Sequence, residues 1–186
     1  TKNRVVLAIN LHKGAEVLIS LAEAVKLKSI LNRKFANLQE EQRRVAFITV
    51  EKGQPAIREG RTLPIVEAEL AVVRKDIRTL DRLVYEANIQ NEVSFLDQQY
   101  TLVEAIELAK QLRQEAEVAK MFSINEKEQI EYGYGEHIQM VRVALFDPEA
   151  YRQKADELER KAHKLSNLIN AKNYEVKINF DDTKYM

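Results

Sequence analysis

The stretch Leu63-Pro-Ile-Val-Glu-Ala-Glu-Leu-Ala-Val-Val-Arg-Lys-Asp-Ile-Arg-Thr-Leu-Asp-Arg-Leu-Val-Tyr-Glu-Ala87 decides the fold. Within it Leu63, Val66, Leu70, Val73, Ile77, Leu80, Val84 and Ala87 fall at alternating spacings of three and four, a heptad seam with no polar interruption. That spacing places every seam residue on one side of an α-helix that runs for roughly 40 Å at about 1.5 Å per residue. The same phrase returns near the other end of the chain. Tyr151, Ala155, Leu158, Ala162, Leu165, Ile169 and Lys172 repeat the seam from Val66 onward, each 85 positions later.

The helix that precedes each seam is repeated too. Ser20-Leu-Ala-Glu23 and Thr101-Leu-Val-Glu104 are capping boxes set 81 positions apart, in which a hydroxyl accepts from the glutamate amide and the carboxylate reaches back. The repeat therefore covers a whole helical hairpin. The expected architecture is mainly α: duplicated antiparallel long-helix hairpins in a coiled-coil-like four-helix arrangement, with a few short β-strands at the tips and termini. One domain over residues 1–186 is expected, with internal repeats at 15–95 and 96–180.

Leu21, Ala24, Val25, Leu31, Phe35, Leu38 and Val45 mark the inner face of the first helix, and Leu18, Leu27 and Ile30 broaden it. Ile106, Ala109, Leu112, Ala116 and Ala119 mark that of the third, whose alanines favour a close helix approach. Thr62 and Pro64 open the second helix, and Asp147 and Pro148 the fourth. Strands are expected at 4–11, 46–50, 137–146 and 175–180, able to pair as a small sheet at one end of the helices, with a frayed tail from Asp181 to Met186.

Lysine plus arginine and aspartate plus glutamate number 29 each, so no global field draws in nucleic acid, which is not an expected partner. The absence of cysteine removes disulfides and thiolate chemistry. Val5 to Ile9 and Val143 to Phe146 are far below the roughly 20 apolar residues of a membrane helix, and the first run is too short for a signal-peptide core. A cytoplasmic protein of bacterial or viral origin fits these features, with secretion left open.

Catalytic patterns are missing. There is no Gly-x-Ser-x-Gly elbow and no phosphate loop, and the histidines at 12, 137 and 163 have no nucleophile at a recognised spacing, so neither an enzyme nor a cofactor is expected. Glu131, Glu136 and His137 match no established metal motif and read as a solvated loop. The one candidate ligand site is Tyr132-Gly-Tyr134-Gly followed by His137 and Arg142: aromatic faces on a pliant backbone beside an anion-pairing guanidinium, suited to a small anionic or nucleotide-like molecule.

Leu21-Ala-Glu-Ala, Val50-Glu-Lys-Gly-Gln-Pro55, Thr101-Leu-Val-Glu-Ala-Ile, Gly135-Glu-His-Ile-Gln-Met and Ala155-Asp-Glu-Leu together resemble the septicolysin-like family of small helical bacterial proteins, over residues 18–173. The resemblance implies a helical-hairpin fold and carries over no catalytic residue. Its haemolysin label raises membrane lysis as one alternative, which the alanine-rich, charge-mixed third helix disfavours. The Arg4 to Leu11 segment and the tail after Val176 lie outside the family's usual ends, and Asn173-Tyr174 replaces its closing aromatic pair. The leading expectation is a non-enzymatic, homo-oligomeric binding or scaffold protein, with capture of a small anionic ligand as the other alternative.

Overall fold

The computed structural model describes residues 17–57, 59–131 and 140–185. Among them the order is β1 (Leu18–Ser20), α1 (Leu21–Val45), α2 (Leu63–Gln90), β2 (Glu92–Phe95), β3 (Gln98–Thr101), α3 (Leu102–Ser123), β4 (Glu128–Glu131), β5 (Met140–Val143), α4 (Pro148–Glu175) and β6 (Lys177–Asn179). The protein is mainly helical, and it is built from two helical hairpins, α1 with α2 and α3 with α4. Two units result: one takes Thr1–Val84 and Lys177–Met186, the other Tyr85–Val176.

In the first unit the seam works as its spacing predicts. Val66, Leu70, Val73 and Leu80 are buried, and Val66, Leu70 and Val73 form one cluster with Leu38 and Val45 of α1, flanked by Phe35, Leu63 and Ile77. The antiparallel register shows in three contacts along the pair: Lys28 Nζ lies 2.6 Å from Asp81, Arg74 sits over the Phe35 ring at 5.5 Å, and Gln42 donates to Glu67 at 3.2 Å. At the tip Arg61 forks between Glu41 and Glu69, both at 2.7 Å, tying the end of α1 to the start of α2. That pairing holds the Glu69 carboxyl below its ordinary range.

The second unit has the same plan with smaller side chains. Ala116 and Ala119 of α3 meet Ala155 and Leu158 of α4, with Leu112 and Tyr151 packed beside them, and the two helices run close together along their length. Lys120 pairs with Glu159, and Arg113 donates to the Ser166 hydroxyl, across the same face. Ala105, not Ile106, turns inward: Ala105 and Ala109 are one turn apart on the buried face, while Ile106 is 44% exposed. On α1 Leu27 is buried, whereas Val25 is 52% exposed, and Ile30 of α1 and Leu18 of β1 also face solvent.

Strand pairing is where the expectation changes most. The short strands form three separate two-stranded antiparallel sheets, β1 with β6, β2 with β3, and β4 with β5, in place of one small sheet. Residues 46–50 form no strand despite their strand-favouring Phe, Ile, Thr and Val side chains, because no described segment supplies them with a ladder. The segment expected at 4–11 lies outside the described residues, as do 137–139; the strand expected at 137–146 is β5 alone, and α4 continues to Glu175 before β6 begins.

In each unit one sheet joins the strand entering that unit's first helix to a strand leaving a second helix. Leu18, Ile19 and Ser20 pair with Asn179, Ile178 and Lys177. Gln99, Tyr100 and Thr101 pair in the same way with Ser94, Val93 and Glu92. The two ladders are in the same register, position for position, at the sequence offsets of 81 and 85 already set by the caps and seams. Val93 and Phe95 are buried, as are Ile178 and Phe180, and α2 and α4 are both 28 residues long.

Both capping boxes are fully formed. Glu23 N donates to Ser20 Oγ at 3.2 Å and Ser20 N to the Glu23 carboxylate at 2.7 Å; Glu104 and Thr101 do the same at 3.3 and 2.9 Å. These hydrogen bonds hold both carboxyls below their ordinary value near 4.5. A carboxyl depressed on folding lends stability that is complete above the unfolded value and disappears as pH falls through the folded one. The double variant Glu23→Gln/Glu104→Gln is therefore expected to lose less of its stability than the parent on acidification below about pH 4.5, as measured by urea denaturation at stepped pH.

The β2–β3 turn is Leu96-Asp97, with φ of 49° and 62°. Two consecutive positive φ values are the geometry in which Asn-Gly is favoured and leucine is strained. Leu96→Asn with Asp97→Gly is expected to raise the unfolding free energy by about 0.5–1.5 kcal/mol, readable as a higher denaturation midpoint with an unchanged slope.

Candidate functional site

Of the residues singled out as a ligand site, only Arg142 is described; Tyr132, Tyr134 and His137 lie outside the described residues. Arg142 stands on β5 directly opposite Gln129 of β4, and both line a cavity of about 550 Å³ at the tip of the second hairpin. That volume is within the usual range for small-molecule pockets.

The cavity is built where α3 stops. Asn125 closes the helix by donating its side-chain amide to the Met121 and Phe122 carbonyls at 2.7 and 3.3 Å. Lys127 then bridges to the returning strand, its Nζ donating to the carbonyls of Ala144 and Phe146 at 2.8 and 3.0 Å. Phe122, Phe146 and Tyr151 form a mutual triad with ring centroids 5.0–5.2 Å apart, two of the contacts edge-on. Such arrangements match ring edges to ring faces and lock the root of the ribbon onto the hairpin.

Beyond that root the surface is apolar and open to solvent. Leu145 is 97% exposed and Ile124 82%, with Met121 and Val143 exposed on the same cavity lining; Ile130 and Val141, paired on the ribbon, are exposed as well. Arg142 and Glu126 place one charge of each sign on the cavity lining. The sequence signals that identify this surface are Phe122, Ile124, Leu145 and Phe146, apolar residues clustered beside both breaks of helix periodicity.

The second feature is the chain's end. The segment expected to fray is fastened: Asp181 accepts from the Thr183 amide and hydroxyl at 3.1 and 2.6 Å, and Tyr185 N donates to the Asp182 carbonyl at 2.8 Å. Tyr185 packs on the Leu38–Val73 cluster, donates its hydroxyl to Asp76 at 2.5 Å and lies under Lys34 at 5.0 Å. Burial, and then the Asp76 carboxylate beside it, raise the phenol above its ordinary range. The second hairpin carries opposite charges at the matching positions, Glu115 for Lys34, Lys154 for Glu69 and Lys161 for Asp76. Lys161 there is paired with Glu157 at 2.5 Å, so the contacts made by Tyr185 are particular to the first hairpin.

Among the described residues no group of three His, Asp or Glu side chains is placed to hold a metal ion. No helix among them is long and apolar enough to cross a membrane.

Residues 28–178 match the model of a family described as a family of unknown function (DUF6847). Among solved structures the fold is similar to that of a functionally unknown conserved protein from Corynebacterium diphtheriae, with a TM-score of 0.60 and 22% identity over 87% of this chain and 99% of that one. No curated protein matches.

Tyr185→Phe keeps the ring and removes the hydroxyl bond to a charged partner, which is expected to lower stability by about 1–2 kcal/mol in urea denaturation. Asp76→Asn is expected to cost less, because the amide oxygen still accepts from the phenol.

Proposed function

The chain belongs to that family of unknown function, and on that premise we propose that it is a non-enzymatic, self-associating scaffold whose hairpins hold variable tips toward a binding partner. The observation that carries this reading is the contrast between repeated and unrepeated parts. Caps, seams and strand registers recur at fixed offsets, whereas the tips do not: the described residues of 46–62 form an irregular connection, and the described residues of 124–147 carry a ribbon and exposed apolar side chains. Repeated parts serve the fold, and the divergent parts are free to serve recognition.

Self-association is supported by apolar surface left open. Leu18, Val25 and Ile30 on and before α1, and the larger group around Leu145, are the kind of surface a second copy covers.

Multi-angle light scattering of the purified chain is expected to give a multimer that persists on dilution to low micromolar concentration. A monomer under the same conditions contradicts the proposal.

A further inference from the structure

We infer that the Leu96-Asp97 turn is a hinge at which two copies of the chain exchange their second repeats, so that β2 of each copy pairs with β3 of the other. This rests on the reading of the chain as a self-associating scaffold and names how the copies join.

The closed turn is strained. Leu96 and Asp97 hold consecutive φ values of 49° and 62°, and both side chains are exposed, so no burial offsets the strain. A short strained connection between two pairing strands favours exchange. Opening it relaxes both residues, and each strand meets the same partner sequence on a second chain.

The same ladder already exists in this protein without a turn. β1 and β6 pair in the register of β2 and β3, position for position, although residues 18–20 and 177–179 are joined by no hairpin. Leu18 opposite Asn179 corresponds to Gln99 opposite Ser94, at the offsets of 81 and 85. Strands of this kind therefore meet and hold from distant parts of the sequence, which is all that pairing between two chains demands.

Each unit also draws on both repeats. Thr1–Val84 is completed by Lys177–Met186, which brings β6 to β1 and Tyr185 to Asp76. Tyr85–Val176 takes β2 and the end of α2 from the first repeat, and β2 lies against both α3 and α4. After exchange one copy supplies β1, α1, α2 and β2, and the other supplies β3, α3, α4, β6 and Tyr185. Both units are then rebuilt with the contacts they have within one chain. No new complementary surface is needed, and every charge meets its usual neighbours. Two strained turns are relieved for each dimer formed. Both ladders must open before the copies part, so the exchanged dimer persists on dilution.

The test uses the full chain. It has no cysteine, so introduced pairs report strand pairing without background. Residues opposite one another on an antiparallel ladder lie about 4.5–5.5 Å apart at Cα, within reach of a disulfide. Ser94→Cys/Gln99→Cys spans β2 and β3, Leu18→Cys/Asn179→Cys spans β1 and β6, and all of these positions are exposed. The multimer fraction of each variant, sized by light scattering, is oxidised and run on a non-reducing denaturing gel. Both pairs are expected to join chain to chain as covalent dimers.

In the chain without cysteines, Leu96→Asn/Asp97→Gly eases the closed turn. After refolding across a concentration series it is expected to raise the dissociation constant roughly tenfold or more, because two turns close for each dimer lost. Asp97→Pro, whose ring excludes a positive φ, is expected to shift the chain almost wholly to dimer. Circular dichroism checks each fold, and the cysteine pairs decide the matter if Asp97→Pro does not fold.

A monomeric parent overturns both the scaffold reading and this inference. A multimer in which either cysteine pair bridges only within chains overturns this inference alone and assigns association to another surface. A multimer whose dissociation constant ignores the Asn-Gly turn overturns it as well.

Discussion

Everything in this protein depends on an apolar seam that a single helix cannot bury. A long amphipathic helix in water gains little from propensity alone and is held by what its seam packs against. In two clusters among the described residues the partner is the neighbouring helix of the same hairpin: Leu38 and Val45 meet Val66, Leu70 and Val73, and Ala116 and Ala119 meet Ala155 and Leu158. The strands are three or four residues long and sit where those helices begin or end. They are consequences of the hairpins, which bring short extended segments near enough to form ladders.

The two hairpins show how one plan tolerates different fillings. Bulky side chains in the first correspond to alanines in the second, and the seam survives because size changes on both helices together. Phe35 and Leu38 on α1 correspond to Ala116 and Ala119 on α3, while Leu70 and Ile77 on α2 correspond to Ala155 and Ala162 on α4. Small residues let α3 and α4 come close. The larger groove of the first hairpin accepts Tyr185, and the reversed charges of the second would not. Divergence is greatest at the tips, where no seam constrains the chain.

That distribution bears on function. The Phe122, Phe146 and Tyr151 triad anchors the ribbon firmly at its root, so the apolar group beyond it is presented from a fixed base. Rigid presentation lowers the ordering cost of binding. The ligand-site expectation centred on the tyrosine-glycine segment is reduced, among described residues, to Arg142, and that residue shares its cavity with Glu126 and mostly apolar neighbours.

The sequence by itself determined the four helices, both capping boxes, the seam residues from Val66 to Leu165 and the hairpin pairing, because all of these follow from spacings of three and four along one chain. It misplaced Ile106 and Val25, which lie just off the buried stripe, where an apolar side chain is tolerated in solvent. β5 and β6 fall within the stretches expected at 137–146 and 175–180, and the tertiary structure decided the other strands and every pairing. β2 and β3 escaped notice because Leu96-Asp97 occupies a turn that Asn-Gly ordinarily announces. The β1–β6 ladder joins residue 18 to residue 179, and three-residue strands carry no periodicity from which such a partner can be read. The fastening of Tyr185 to Asp76 is of the same kind: a contact 109 positions apart, set by where the folded hairpin leaves a groove and not by any local pattern.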